Sequence, residues 1–148
     1  MSDKKRILFI CQHNSGRSQI AEAFLRKMSG NVFVESGGFE PAAEINPFVV
    51  DVMKEEGFDL TDKKPQSVFD LFKQGRIYNH VITVCDEGEE KCPVFPGITK
   101  RWRNPFPDPA AVKGTREEKL EGVRKIRDMI KDWLENPKGQ SFNFKKLQ

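Results

Sequence analysis

Short apolar segments alternate with segments of helical periodicity along this 148-residue chain. Residues 7–10 are Ile-Leu-Phe-Ile and residues 81–84 are Val-Ile-Thr-Val, which is typical of strands buried on both faces of a parallel sheet. Between them, apolar residues in 20–28 and 48–57 recur at the spacing of one helix face. Strands that alternate with helices form parallel sheets with right-handed crossovers. The sequence therefore predicts an α/β fold.

Residues at the ends of these segments indicate where further elements begin. Asn46-Pro47 is typical of a helix start, with the amide as cap and the proline in the first turn. Thr115-Arg-Glu-Glu118 has the spacing of a capping box. We also expect strands at 32–34 and near 99–103, a short helix from Ser67 to about residue 74, and a polar tail over about 136–148.

The size and charge of the chain exclude several classes of protein. A mass of 17.0 kDa fits one domain over residues 1–148, and no apolar run approaches the roughly 18–20 residues of a membrane span. The apolar stretch after the basic start is too short for a signal peptide. A net charge of +3 does not build a nucleic-acid surface. We expect a cytoplasmic monomer with no membrane or nucleic-acid partner.

The three cysteines are Cys11, Cys85 and Cys92, and the first two each follow a predicted buried strand directly. In a cytoplasmic chain such thiols are more often catalytic, redox-active or metal-binding than a disulfide framework, and their spacing does not match a zinc site. Sites on these sheets lie beyond the carboxyl ends of the strands. With strands in the order 2-1-3-4, Cys11 and Cys85 would leave one edge from strands about 5 Å apart.

The segment between the first strand and the first helix reads Cys-x5-Arg, from Cys11 to Arg17. Successive backbone N–H groups in such a loop converge on an oxyanion, and the helix N-terminus adds partial positive charge. This field favours the thiolate form of Cys11, and the planar guanidinium of Arg17 binds two oxygens of a tetrahedral anion. Asn14 and Gly16 tolerate the positive φ of a tight loop. The predicted oxyanion loop comprises Gln12, His13, Asn14, Ser15, Gly16, Arg17 and Ser18. The alternative is a structural cysteine followed by a solvated arginine.

Ile10-Cys-x-x-Asn-Ser-x-Arg-Ser18 resembles the active-site loop of the low-molecular-weight tyrosine phosphatases, and the longer string from Cys11 to Glu22 is similar to that of arsenate reductases on the same fold. The resemblance continues in order through Ser36-Gly-Gly38, Asn46-Pro47, residues 53–57, Thr83-Val-Cys85 and Asp108-Pro109. It implies a single domain with a four-stranded parallel sheet, order 2-1-3-4, flanked by helices. It also implies that Cys11 is the nucleophile and that Asp108 is the acid on the leaving group.

The segment from Cys85 to Cys92-Pro93 resembles the redox segment of the thioredoxin-coupled arsenate reductases. By that resemblance, Cys11 attacks arsenate, Cys85 displaces arsenite to leave a Cys11–Cys85 disulfide, and Cys92 exchanges it to Cys85–Cys92, which thioredoxin reduces. Each transfer is thiolate attack on sulfur or arsenic, controlled by access and thiolate character. A hinge at Gly88 would suit a segment that moves.

Features around the loop favour a small anion over an aromatic phosphoester. Ala110-Ala111 follows Asp108-Pro109 where tyrosine phosphatases usually carry aromatic residues, and Gln19 replaces a proline common after the phosphatase loop. Phosphate or sulfate, which are tetrahedral like arsenate, would bind the same loop. Two other functions stay open: a small-phosphoester or protein tyrosine phosphatase using Cys11, Arg17 and Asp108, and a non-catalytic oxyanion or redox sensor. The alternatives without a catalytic role are that Cys85 is an apolar core residue, that Cys92 is an incidental loop thiol, and that Asp108 only forms a turn.

Some reductases of this family bind potassium near the loop, and no tightly bound cofactor is otherwise expected. Asn14, Glu22 and Ser36 match three of the positions used, whereas Gln66 stands where a carboxylate is expected. His13 either helps to hold Cys11 as thiolate or is merely a polar loop residue. His80, directly before a strand, is interpreted as structural.

Overall fold

The computed structural model describes residues 4–86, 91–97, 99–139 and 142–147. These residues form four strands and four α-helices. They are β1 (Lys5–Cys11), α1 (Arg17–Met28), β2 (Val32–Gly38), α2 (Pro47–Lys54), α3 (Val68–Lys73), β3 (His80–Thr83), β4 (Lys100–Arg103) and α4 (Arg116–Glu135). Short 3₁₀ turns cover Pro109–Ala111 and Phe144–Leu147.

The strands form one parallel sheet in the order β2-β1-β3-β4, which confirms the predicted fold class. In the register, Ile10 of β1 lies between Gly37 of β2 and Thr83 of β3. Residues 7–10 are all fully buried. Because successive strand side chains point to opposite faces, both faces of the central strand are covered.

Capping residues begin the helices where the sequence predicts. Asn46 Oδ1 accepts a hydrogen bond from the Phe48 amide at 2.9 Å, with Pro47 in the first turn. Ser67 caps α3, and Thr115 and Glu118 form the expected capping box at α4. These side chains satisfy backbone N–H groups that have no partner within the helix.

Residues 142–147 of the C-terminal tail pack on the domain, a point that the sequence leaves open. Phe142 and Phe144 are buried, and the Phe142 ring lies against those of Trp133, Trp102 and His80. The Trp102 indole N–H donates to His80 Nδ1 at 3.0 Å, so His80 has a packing role as interpreted. None of the helices in the described part of the chain is long and apolar enough to cross a membrane.

Candidate active site

The Cys-x5-Arg segment forms a loop between the end of β1 and the start of α1, above the carboxyl edge of the sheet. Its carbonyl groups are tied to the segment that follows β2. The amides of Phe39, Glu40, Ala42 and Asn46 donate to the carbonyls of Cys11, Gln12, His13 and Ser15, respectively, at 2.8–3.2 Å. With the carbonyls held from outside, the N–H groups of the loop are left to face its interior.

Asn14 is the residue on which the loop turns. Its φ is 52°, the left-handed value expected from sequence. Its amide nitrogen Nδ2 donates to Ser18 Oγ at 2.8 Å and to Ser36 Oγ at 2.9 Å, while Oδ1 accepts from the backbone of Gln66. Gly16 also tolerates a positive φ but does not adopt one, since its φ is −147°. Glycine is suited there by space, because a Cβ would lie 3.1 Å from Pro109 Cγ.

The Cys11 thiol lies inside this loop with 2% of the residue exposed. Its Sγ is 2.8 Å from Ser18 Oγ and accepts a hydrogen bond from the Asn14 amide at 3.2 Å. Helix α1 begins at Arg17, and its N-terminus carries partial positive charge. The sulfur therefore lies among hydrogen-bonding groups, near the positive end of the α1 dipole.

Arg17 and Asp108 come together across the loop, 91 positions apart in sequence. The Arg17 side chain is buried, donates to the Phe106 carbonyl at 3.1 Å, and lies 4.0 Å from Asp108 Oδ1. Asp108 is partly exposed and also caps the 3₁₀ turn through the Ala110 amide at 2.9 Å. The turn-forming interpretation and the catalytic one are therefore compatible, because the cap fixes the carboxylate beside the guanidinium.

Gly38 leaves room for the loop to pass directly over the end of β2. A Cβ at this position would lie 2.8 Å from the Asn14 nitrogen, 2.9 Å from the Gln12 oxygen and 2.9 Å from the His13 carbonyl carbon. All three are backbone atoms, so they cannot turn aside as a side chain does. This contact gives the Ser36-Gly-Gly38 string a physical role in shaping the loop.

Gln12 and His13 point towards Glu40 on the rim of the loop. Gln12 Nε2 donates to the Glu40 carboxylate at 2.8 Å, and His13 Nδ1 lies 2.8 Å from the Glu40 carbonyl oxygen. Lys91, the residue before Cys92, has its Nζ 3.9 Å from the same carboxylate. The Lys91 side chain, directly before Cys92 in sequence, therefore extends to the rim of the loop.

All three cysteines are buried, and none of them forms a disulfide. Continuing the β1–β3 register by one residue places Val84 opposite Cys11, so Cys85 leaves the same sheet edge, as predicted from the strand order. Cys92 lies by β3 and β4, in a cavity of about 90 Å³ lined by Val81 and Thr99, and its Sγ is 3.5 Å from the Pro93 oxygen. The expected hinge at Gly88 falls outside the described residues.

The side chains of Asn14, Glu22 and Ser36, which the resemblance places around potassium, do lie together, but they form hydrogen bonds with one another. Ser36 Oγ donates to Glu22 Oε1 at 2.7 Å and accepts from Asn14 Nδ2, and Lys63 Nζ lies 2.6 Å from Glu22 Oε2. Potassium, like other hard cations, binds oxygen ligands. Here Asn14 presents its nitrogen Nδ2 to Ser36, and the Glu22 carboxylate is already paired with the Lys63 ammonium group. This arrangement does not fit a potassium ion. Sequence reasoning missed Lys63, because it lies in the polar stretch 61–66 with no motif around it.

Comparison with known proteins places this geometry in a family. Residues 6–139 match the low molecular weight phosphotyrosine protein phosphatase family. The chain is 38% identical over 130 residues to the arsenate reductase of Bacillus licheniformis, covering 86% of this chain and 90% of that protein.

Two solved structures have the same fold. An arsenate reductase in its oxidized state superimposes with a TM-score of 0.69 at 28% identity, covering 89% of this chain and 95% of the other. The thioredoxin-dependent arsenate reductase of Corynebacterium glutamicum gives a TM-score of 0.59 at 32% identity, covering 88% of this chain and 62% of the other.

The chain belongs to the low molecular weight phosphotyrosine protein phosphatase family. Within it, the similarity to proteins named arsenate reductase confirms the resemblance that the sequence motifs indicate.

Proposed function

We propose that this protein reduces arsenate to arsenite, with Cys11 as the nucleophile and with Cys85 and Cys92 passing the resulting disulfide to thioredoxin. The observation that supports the proposal is the placement of the three cysteine thiols. Cys11 lies in the Cys-x5-Arg loop, Cys85 follows β3 at the same sheet edge, and Cys92 comes directly after Lys91, whose ammonium group lies 3.9 Å from Glu40 on the rim of the loop.

In the first step, arsenate binds to the loop amides and to Arg17. The Cys11 thiolate forms a bond to arsenic and one As–O bond breaks. Asp108 in its acid form gives a proton to the leaving oxygen, which departs as water. Asp108 is positioned for this role because its carboxyl is partly exposed, is oriented by the Ala110 amide, and lies next to Arg17, the residue proposed to bind the anion.

In the second step, the Cys85 thiolate attacks Cys11 Sγ. The S–As bond breaks, its electron pair stays on arsenic, and arsenic(III) leaves as arsenite. The two thiols supply the two electrons and become a Cys11–Cys85 disulfide. Cys85 lies directly after β3, the neighbour of β1, which keeps the two sulfurs at one edge of the sheet.

In the third step, the Cys92 thiolate attacks Cys85 Sγ and releases Cys11 as a thiolate, which the loop stabilises. The Cys85–Cys92 disulfide then takes two electrons from the dithiol of thioredoxin. Cys85 is fully buried and Cys92 is 8% exposed, so Cys92 must leave its cavity during this step. Val94, two residues further on and 81% exposed, gives thioredoxin an apolar contact beside the disulfide.

The test is NADPH oxidation on adding arsenate to the protein with thioredoxin and thioredoxin reductase. The native protein should turn over continuously. Cys92→Ser should produce about one arsenite per protein and then stop with a Cys11–Cys85 disulfide, detected by mass spectrometry. Sustained turnover by Cys92→Ser would contradict the relay.

The same samples distinguish the phosphatase alternative. A phosphatase needs no second thiol, so Cys92→Ser would hydrolyse p-nitrophenyl phosphate as fast as the native protein while neither consumed NADPH with arsenate. Absence of arsenate-dependent turnover together with such hydrolysis would favour the phosphatase.

A further inference from the structure

The network beneath the oxyanion loop is centred on a buried carboxylate. Glu22 is 3% exposed, and a carboxylate removed from water requires a cationic partner and hydrogen bonds to its oxygens. Lys63 Nζ is 2.6 Å from Oε2, Arg26 NH2 is 3.0 Å from the same oxygen, and Ser36 Oγ donates to Oε1.

Of the two cations, Lys63 has the more specific placement. The Arg26 side chain is 58% exposed, comes from the next turn of the same helix, and shares its NH2 with the Val34 carbonyl. The Lys63 side chain is 34% exposed and reaches Glu22 from a separate segment, 41 positions away in sequence. Because its contact is shorter and better shielded from water, Lys63 is the main charge partner of the buried carboxylate.

Hydrogen bonds connect this ion pair to the reactive sulfur. The Ser36 hydroxyl has one proton, and it donates that proton to Glu22. Its oxygen therefore accepts from Asn14 Nδ2, which sets the orientation of the Asn14 side chain. The Asn14 backbone amide in turn donates to Cys11 Sγ. The ion pair at Glu22 is thus connected to the oxyanion loop through the side chains of Ser36 and Asn14.

We propose that the Lys63 ammonium is a built-in monovalent cation that takes the place of the potassium implied by the resemblance, and that Lys63 is a positioning residue for the oxyanion loop. Lys63 reaches the loop through Glu22, Ser36 and Asn14. This proposal rests on the proposed function only in that both involve the oxyanion loop. The first experiments therefore use no arsenate.

A small cation from solvent should reverse the effects of replacing Lys63 by alanine. A cavity of about 290 Å³ lined by Glu22, Phe58 and Lys63 adjoins the ion pair, and Lys63→Ala would enlarge it. Ammonium and methylammonium reproduce the donor group of lysine, whereas tetramethylammonium has no N–H to donate. The matched control is Lys64→Ala, which removes the adjacent exposed lysine, and Lys63→Arg retains the charge.

The first readout is the melting temperature at constant ionic strength. The native protein should melt at the same temperature in potassium chloride and in tetramethylammonium chloride. Lys63→Ala should melt about 5 °C lower and regain at least half of that loss in ammonium or methylammonium. Lys64→Ala should match the native protein.

The second readout is loop geometry, measured as protection of Cys11 from iodoacetamide by inorganic phosphate. Mass spectrometry of the Cys11 peptide separates it from the other thiols. Phosphate should bind about tenfold more weakly to Lys63→Ala, with rescue by ammonium, and nearly normally to Lys63→Arg.

Two results would overturn the proposal. One is a saturable, potassium-specific rise in the melting temperature of the native protein, which would show that an ion binds alongside Lys63. The other is behaviour of Lys63→Ala indistinguishable from that of Lys64→Ala in both readouts. Neither readout depends on arsenate reduction, so the failure of the proposed function would be seen separately.

Discussion

Replacing Gly38 by alanine adds one methyl group beneath the oxyanion loop. The new Cβ would lie 2.8 Å from the Asn14 nitrogen and 2.9 Å from the Gln12 oxygen, against an ordinary contact distance of 3.4 Å or more. Gly38 does not have a positive φ, so the backbone angles themselves accept alanine. The effect therefore comes from contact alone, and the loop must move by about 0.6 Å to relieve it.

The size of the shift sets the expected losses. Overpacking of this kind costs about 1–3 kcal/mol, so the melting temperature should fall by about 4–8 °C for a cost near 2 kcal/mol. A displacement of loop donors by more than half an ångström should lower kcat/KM for arsenate by about 10–100-fold. Thermal unfolding by circular dichroism and the coupled NADPH assay measure the two effects.

The neighbouring glycine is a matched control. A Cβ on Gly37 would face Val68 at the start of α3, with its nearest atom at 3.2 Å, away from the oxyanion loop. Gly37→Ala should therefore lose some stability but retain native kcat/KM. Native activity in Gly38→Ala, or an equal loss of activity in both variants, would refute the reasoning.

Three further changes test other parts of the structure. Asp108→Asn keeps the cap on Ala110 but removes the proposed proton donor, so kcat in the NADPH assay should fall by about 10²–10⁴-fold with an unchanged melting temperature. Burial, with Lys5 and Lys100 nearby, lowers the pKa of His80, so the unfolded chain binds this proton more readily. Stability should drop as the pH falls below about 6.5. Between pH 7.5 and 5, the melting temperature of His80→Gln should therefore change less than that of the native protein. Val94→Asp should raise the KM for thioredoxin without changing phosphate protection of Cys11; an unchanged KM would place docking elsewhere.

Much of the fold was predictable because its signals are local. The apolar runs of β1 and β3, the caps at Asn46 and Thr115, and the Cys-x5-Arg spacing each depend on neighbours within a few residues. The short strand near 99–103 was also predicted, and lies at Lys100–Arg103. These features follow from the periodicity of backbone geometry and from hydrogen bonds that a side chain makes to its own helix end.

The candidate site was predictable in its residues more than in its contacts. The motifs indicate Cys11, Arg17 and Asp108, but no pattern shows that the Phe106 carbonyl orients the Arg17 guanidinium. The matched positions Asn14, Glu22 and Ser36 suggest potassium, yet a lysine from outside every motif reaches the carboxylate.

The sequence by itself determined the succession of strands and helices along the chain and the position of the Cys-x5-Arg loop, because local patterns and spacing specify both of them. Only the tertiary structure decided that Lys63 balances Glu22, that Gly38 leaves space for the loop, and that Phe142 returns to cover the edge of the sheet. These contacts join residues far apart in sequence. Charge balance and close packing depend on distances in space, and those distances are set only when the helices and the sheet pack together.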